Sequence, residues 1–542
     1  MPNTRTVVVT GAAGTVGGYV VAECLRQGWR VIAVDRPGTR FPTPDVPAGQ
    51  FATREGDLTD LAFAVDATEG AEAVIHTAAT VDLRTPPDLM KAINFDAVRY
   101  VYEAARARGA KRFVFFSSGS IYQPTRGPMD ESVPFFPKSA YEQSKVDAER
   151  YLWSRPPGGP ALTVVRPAMI YGPRGRFLGA KMACIPPLLA LLRGRLTRIS
   201  GGPRTNWAHA EDVARAVVFL LERAEAAGQA YNIADDDALG FGDVYNTIVE
   251  AYGIPFGREI PYPTRLFAFV GPLLENRDLL LRAASLAWER AWKYVCDAHG
   301  LTPALVPTID RELFTYAASD SIFDNAKLKR LGFEFKYPSF REGYREVLRW
   351  YQENRWVPTY APGESLEWGG ATGFKFEEQM AGTWRAVGES ADPTPRRFVL
   401  DAVARTGNVR QFARDGLLDL VGTVRAEGLA ERAEVKAGTL DIAWVRKREL
   451  NYDFRFRGDD GQTYRFRGKK DVKLLRFLET MTTLPGRILG ARGPVGEALL
   501  RFDLRRDLLS LVSSFSAWDG SDGRIPEGAA AAERRPAAAA AG

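Results

Sequence analysis

Cysteine is scarce in this chain, and Cys24, Cys184 and Cys296 stand far apart without the spacing of metal ligands. That argues against a disulfide framework, fits a reducing compartment and leads to the expectation of no metal centre. Long apolar runs are lacking too. The most apolar region outside the expected strands, Leu266 to Val295, is broken by Glu275, Arg277, Asp278, Arg282, Glu289, Arg290 and Lys293, so no bilayer span is expected. Met1-Pro2-Asn3-Thr4-Arg5 runs straight into a β-branched run, leaving no room for a secretory signal, and a cytoplasmic location follows as an expectation. Charge is not strongly of one sign: a formal net charge of +6 over 542 residues permits an anionic partner or a membrane surface without requiring one. The length exceeds what one core can organise, and Ser521 to Gly542, with few large apolar residues, reads as a disordered tail.

What the chain does have begins at Thr6-Val7-Val8-Val9, followed by Thr10-Gly11-Ala12-Ala13-Gly14-Thr15-Val16-Gly17 and an amphipathic segment. Strand, glycine turn and helix N-terminus in that order present backbone N–H groups to a pyrophosphate. Gly11 serves the turn, Gly14 lets phosphate approach, and Gly17 lets helix and strand lie close. A second apolar strand, Trp29 to Val34, ends in Asp35, placed where ribose hydroxyls would lie. A carboxylate there accepts from the hydroxyls and repels a 2′-phosphate, so NAD is preferred over NADP, although the neighbouring Arg36 works against that preference. Further strands at Phe51 to Leu58, Ala73 to Ala79 and Arg112 to Ser118, separated by helix-length segments, predict an α/β fold: a doubly wound, Rossmann-type parallel sheet with a smaller substrate-binding part. Ligands then meet the strand C-termini, where Asp57 and Leu58 would border adenine and Ala78 and Ala79 would let the cofactor pass. His76, on the apolar end of its strand, reads as a structural histidine rather than a base.

Ser139 and Glu142 form a capping-box pattern, which starts a helix and puts Tyr141 and Lys145 on one face. A nearby ammonium favours phenolate, and Ser118 at the end of the Arg112 strand is placed to donate to a substrate oxygen.

In their order, the glycine loop, Asp35, Asp57, His76 to Ala79, Asn94, Ser117 to Tyr122, Tyr141 to Lys145 and Arg166 to Pro173 resemble the extended short-chain dehydrogenase/reductases, also called the NAD-dependent epimerase/dehydratase family. The resemblance spans roughly residues 5 to 355. It implies Ser118, Tyr141 and Lys145 as catalytic residues with Asn94 in support. It implies dinucleotide contacts from Gly11, Gly14, Thr15, Val16, Gly17, Asp35, Arg36, Asp57, Leu58, Ala78, Ala79, Ser117, Tyr141, Lys145 and Pro167. The wording from Arg166 to Pro173, with the long insertion before Asp320, is most similar to the 3β-hydroxysteroid and sterol dehydrogenase branch. Nucleotide-sugar epimerases of the family often carry an asparagine shortly after the equivalent of Arg166, where this chain has Pro167, Ala168 and Met169. The resemblance thus ranks an NAD-linked oxidoreductase of a sterol-like or lipidic alcohol above a nucleotide-sugar epimerase. A dinucleotide-sensing scaffold protein is a third reading, opposed by the intact Ser118, Tyr141 and Lys145 set. A homodimer is left open.

Farther on, His209 and Asp212 look like an acid–base pair, but an acid at a helix start more often caps or orients the helix. Leu266, Phe267, Phe269, Val270, Leu273, Leu274, Leu286, Trp288, Trp292 and Tyr294 give the insertion, about 262–318, enough apolar surface to line a sterol site, rest peripherally on a membrane, or simply cover the core. The expected domains are 1–353, a linker at 354–373, a β-rich domain at 374–520 and the tail. In the β-rich part, Tyr452, Phe454 and Phe456 alternate with charged residues, Gly458-Asp459-Asp460-Gly461 turns, and Tyr464 and Phe466 alternate again, which predicts a hairpin. With strands expected at Leu417 to Val424, Val435 to Ala443 and Ala498 to Leu504, this is a separate, mainly antiparallel barrel or sandwich, and a closed barrel of this size would hold one lipid. Arg455, Arg457, Arg465, Arg467, Lys469 and Lys470 read as a solvated basic face ahead of an anionic-headgroup surface. No aromatics interleave there, so nucleic acid is not an expected partner.

Overall fold

The computed structural model describes residues 5–41, 45–190, 195–265, 267, 278–309, 317–360, 373–387, 394–443, 448–473 and 476–518. The chain divides into two compact units, Met1–Leu366 and Glu367–Gly542.

In the first unit the apolar runs pair in parallel. The strands are β1 (Thr6–Thr10), β2 (Arg30–Asp35), β3 (Phe51–Glu55), β4 (Ala73–His76), β5 (Arg112–Phe116), β6 (Ala161–Pro167) and β7 (Gln229–Ile233), in the spatial order β7-β6-β5-β4-β1-β2-β3. These runs are continuously apolar because both faces are covered. Val7, Val9, Val31, Ala33 and Ile75 pack with α1 (Thr15–Arg26) and with the helix Ala210–Leu221, while Val8, Ile32, Val34, Val74, Phe113 and Phe115 face helices Ala97–Ala107 and Ala140–Trp153. The chain runs from β1 outward to β3 and then returns to place β4 on β1's other side, so the order reverses between β1 and β4. In such sheets that crevice is where ligands bind.

Helix Ala140–Trp153 is fixed to β6 by a buried ion pair. Glu149, fully buried, accepts from Arg166 Nη2 at 2.6 Å and from Nε at 3.0 Å, and Arg166 Nη1 donates to the Tyr122 hydroxyl and to the Glu131 carbonyl. Arg166 also lies over the rings of Tyr122 and Phe135. The apolar insertion is represented by helix Asp278–His299, which buries Trp292, Val295 and Cys296 and leaves Leu286, Trp288 and Tyr294 half-buried. Leu266, Phe269, Val270, Leu273 and Leu274 lie outside the described residues, and among those described no helix is long and apolar enough to cross a membrane. Of the expected linker, 361–372 lie outside the described residues, whereas Trp356 stacks on Tyr351 and Tyr360 meets Tyr252. The tail also lies outside the described residues.

The second unit is an antiparallel barrel. Strands β8 (Gly373–Ala386), β9 (Arg396–Thr406), β10 (Leu417–Ala426), β11 (Ala430–Ala443), β12 (Glu449–Arg457), β13 (Thr463–Asp471), β14 (Thr483–Gly490) and β15 (Gly493–Arg501) each pair with the next, and β15 pairs back onto β8 from Ala381 opposite Arg501 to Ala386 opposite Gly496. Closure removes the sandwich alternative. The predicted hairpin is present, with Phe454 opposite Phe466 and Gly461 at φ 75° in the turn. Two expectations are corrected. The strand expected through Leu504 stops at Arg501, because Asp503 accepts from the amides of Arg505 and Arg506 and starts helix Leu504–Ser514. Lys470 does not belong to the basic face. With a period of two, it shares the inward side with Tyr464 and Phe466, and it is buried at 3 % exposure. The outward cations are largely partnered: Arg465 and Arg467 by Asp453, Lys469 by Glu449 and Asp471.

The Glu149–Arg166 pair generates a stability prediction. Arg166→Met or Glu149→Gln alone leaves an uncompensated buried partner and costs about 3–5 kcal/mol in chemical unfolding, while the paired replacement Glu149→Leu with Arg166→Met recovers most of that loss.

Candidate active site

The glycine loop closes tightly between β1 and α1. Gly11 has φ 68°, and a Cβ there would stand 2.7 Å from the Ala78 backbone nitrogen, so the loop after β4 lies directly against it. A Cβ on Gly17 would come within 2.0 Å of the Gly11 carbonyl oxygen, which is why helix and strand can approach here only through glycine. Gly14 is the N-cap of α1, and among the described residues no side chain caps the helix start. An uncapped helix start facing a glycine turn fits an anion such as pyrophosphate.

Asp35, at the end of β2, is locked in place: one carboxylate oxygen accepts from Ala13 N at 2.9 Å and the other from Arg36 N at 2.8 Å. The acid thereby turns toward the same loop. Together, the uncapped amides, this carboxylate and the close approach of Ala78 fit NAD. Arg36 and Ala79 are exposed nearby, Thr15 donates to the Arg174 carbonyl, and Val16 rests against the core. Asp57 accepts from Thr59 N within its own turn, and Leu58 is buried in the sheet core, so of these two only Asp57 presents surface.

Around the sheet's C-terminal edge, helix Ala140–Trp153 begins with the predicted box: Ser139 Oγ accepts from Glu142 N, and the Glu142 carboxylate accepts from Ser139 N. Tyr141 and Lys145 therefore share a face. Lys145 Nζ donates to the Phe116 carbonyl at 2.8 Å and lies 5.9 Å from the centre of the Tyr141 ring. That bond ties the helix to the end of β5, directly before Ser117 and Ser118. Burial pulls the Lys145 pKa down to about 7, with Glu149 opposing the shift. Ser118 Oγ accepts from Ser120 N and pairs with Ser120 Oγ at 2.9 Å, and the buried Ser117 Oγ has no hydrogen-bond partner among the described residues. Gly119 sits so tightly that a Cβ would stand 3.0 Å from the Pro167 carbonyl, which brings Pro167 to the same edge.

Asn94 reaches the Tyr141 helix through Ser144, whose hydroxyl in turn donates to the Tyr141 carbonyl. In a π-helical turn, Ala92–Asp96, it accepts from Thr80 N at 2.8 Å and donates to Thr80 O and to Ser144 Oγ, so it braces the loop after β4 against the Tyr141 helix. His76 pairs its Nδ1 with Thr10 Oγ1 at 3.0 Å and lies near the rings of Phe113 and Phe115, and burial with the Lys145 charge lowers its pKa to about 3. It is a neutral core histidine. The apparent His209 and Asp212 pair dissolves: His209 Nδ1 caps the helix Ala210–Leu221 by accepting from Glu211 N, while Asp212 accepts from the amides of Lys336 and Tyr337 and from Arg215. Asp212 orients the helix rather than capping it.

Arg174 was not singled out by sequence reasoning. It adopts φ 65°, and its Nη1 lies 3.6 Å from where a Cβ on Gly18 would be, alongside the first turn of α1. A cation beside the positive end of a helix is unfavourable unless an anion joins them. The only sequence signal is an arginine directly after Gly172-Pro173.

Residues 7–234 match the NAD dependent epimerase/dehydratase family. A 3β-hydroxysteroid dehydrogenase/Δ5→4-isomerase of Mycobacterium tuberculosis is 28% identical over 262 residues, 46% of this chain and 69% of that protein. A UDP-glucose 4-epimerase of Mycolicibacterium smegmatis is 29% identical over 299 residues, 52% of this chain and 92% of that protein. Among solved structures, UDP-glucose 4-epimerase of Thermotoga maritima with UDP-glucose gives a TM-score of 0.48 at 21% identity, covering 64% of this chain and 99% of that one. The parallel sheet with its glycine loop, and the family match over it, make residues 7–234 a domain of the NAD-dependent epimerase/dehydratase family, whose relatives include dehydrogenases, reductases and epimerases.

Proposed function

We propose that this chain is an NAD-linked oxidoreductase that moves hydride between a secondary alcohol or ketone of a sterol-like or lipidic molecule and the nicotinamide. The observation that carries the reading is the Lys145 bond to the Phe116 carbonyl, which holds the Tyr141 helix against the strand end bearing Ser118. In this reading the α1 amides and Arg174 hold the pyrophosphate, and the Asp35 carboxylate, oriented by Ala13 N, accepts from the ribose hydroxyls. Bound NAD supplies the hydride acceptor. Tyr141 takes the alcohol proton as a phenolate, Ser118 Oγ holds the same oxygen, and Lys145 binds ribose and favours the phenolate form. The steroid dehydrogenase relative supports a lipidic substrate. The epimerase relative, matched over 92% of its length, supports the second reading, nucleotide-sugar epimerisation with recycled NAD.

Reduced-cofactor formation by the purified chain with NAD, across hydroxysterols and nucleotide sugars, separates the two. Net reduction with a hydroxysterol is expected; sugar interconversion without net reduction, and silence with sterols, overturns the lipid reading. Tyr141→Phe should lower turnover by roughly a hundred- to ten-thousand-fold with NAD affinity nearly intact, and activity surviving that change removes the mechanism.

Lys145 also predicts a pH effect on stability. Its folded pKa, about 7, lies below the ordinary 10.5, so the unfolded chain binds this proton more tightly. Its cost to folding is full below about pH 7 and fades as pH rises toward 10.5. Melting curves should therefore show the wild type gaining stability relative to Lys145→Met between about pH 6 and about pH 9; a constant difference contradicts this.

A further inference from the structure

Gly172-Pro173-Arg174-Gly175 turns the chain, and its third residue goes against the rule of the turn. Gly175 N donates to the Gly172 carbonyl at 3.1 Å, proline stands second, and Arg174 stands third with φ 65°. Those are the marks of a type II turn, whose third position favours glycine or asparagine because most other side chains are strained there. Such strain persists only where the surroundings enforce it, and residues of this kind cluster at binding sites.

Two anchors enforce it here. Tyr351, on helix Phe340–Glu353 and 1 % exposed, donates in bifurcated fashion to the Gly172 carbonyl at 2.9 Å and the Gly175 carbonyl at 3.3 Å. Its ring stacks on Trp356, and the Arg176 guanidinium lies over that indole. A Cβ on Gly175 would stand 3.2 Å from the Tyr351 hydroxyl, so the turn and the hydroxyl fit without spare room. From the other side Thr15, the first residue of α1, donates its hydroxyl to the Arg174 carbonyl at 3.2 Å. The Arg174 guanidinium then lies along α1 near Gly18, and among the described residues no carboxylate pairs with it.

We propose that Tyr351 is a positioning residue for the dinucleotide: its hydroxyl holds the 172–175 turn in the strained form that keeps the Arg174 guanidinium at the start of α1, where it meets the diphosphate. This rests on the dinucleotide reading of the α1 cleft and adds a residue from outside the family match over 7–234. A guanidinium suits a diphosphate because it donates two parallel N–H bonds to neighbouring oxygens and keeps its charge. Both bonds of the Tyr351 hydroxyl go to the turn, so its effect on the cofactor passes through Arg174. Without the hydroxyl the turn relaxes toward the conformations an arginine prefers, and the guanidinium leaves the helix start.

The test is calorimetric titration of the full chain with NAD and with ADP-ribose, and competition by adenosine, which lacks the diphosphate. Wild type is compared with Arg174→Gly, Tyr351→Phe and the double variant. Arg174→Gly is expected to weaken NAD and ADP-ribose by roughly tenfold or more, and Tyr351→Phe by about fivefold. Adenosine keeps one inhibition constant throughout. Arg174→Gly melts no lower than wild type, because glycine takes φ 65° without strain. Adding Tyr351→Phe to Arg174→Gly brings no further loss, which a merely structural tyrosine would not reproduce. Unchanged NAD affinity in either single variant, additive losses in the double variant, an equal loss for adenosine, or a lowered melting temperature for Arg174→Gly overturns the proposal. If Tyr351→Phe does not fold, Gly175→Ala, which crowds the hydroxyl, takes its place with the same expectations. Absence of NAD binding by the wild type overturns the oxidoreductase reading together with this one, whereas NAD binding without hydroxysterol reduction overturns the lipid reading alone.

Discussion

The sheet edge that carries Tyr141, Lys145 and Ser118 depends on how firmly one helix is seated on the sheet, and the buried Glu149–Arg166 pair seats it. Glu149 stands one turn beyond Lys145 on helix Ala140–Trp153, and Arg166 stands on β6, one residue before Pro167. A charge buried to this degree holds its geometry because any movement strands an unsolvated ion. The same arginine reaches Tyr122 and the Glu131 carbonyl, so the segment following Ser118 is held by the group that holds Tyr141's helix. Lys145 then closes the arrangement from the other end through Phe116. Two charged side chains on one helix, each spent on a fixed partner, convert a surface helix into a reference frame for a tyrosine and a serine.

A second constraint acts at the strand switch. β1 and β4 are neighbours in the sheet but are separated in the chain by two other strands, and their loops meet where Gly11 abuts Ala78. Asp35 adds a third strand end through Ala13. The cofactor cleft is thus assembled from backbone approaches too close for any larger residue, with the acid oriented by the loop it accompanies.

The second unit obeys a different rule. Along β12 and β13 the side chains alternate in and out, and closure of β15 onto β8 encloses the inward aromatic residues. This rule places Phe454 and Phe466 in the core and Arg465 and Arg467 outside against Asp453. It also takes Lys470 inside, where Glu378 and Tyr452 meet it.

Local features were legible in the sequence because their physics is local. The capping box at Ser139 and Glu142, the turn at Gly11, the buried parallel strands and the hairpin around Gly461 each follow from residues a few positions apart, and each is present in the structure. The inward direction of Lys470 was legible too, since it shares parity with Tyr464 and Phe466, but the adjacent Lys469 obscured the alternation. What only the tertiary structure decided involves partners distant in the chain: barrel rather than sandwich, Asp212 on the amides of Lys336 and Tyr337, Arg174 beside α1, and Glu378 with Lys470. The sequence by itself determined the elements, the glycine cleft and the Tyr141 and Lys145 face, because hydrophobic period and backbone conformation are settled within a few residues. The pairing of buried charges was decided by the fold, because a buried charge takes whichever partner the packed chain brings within reach.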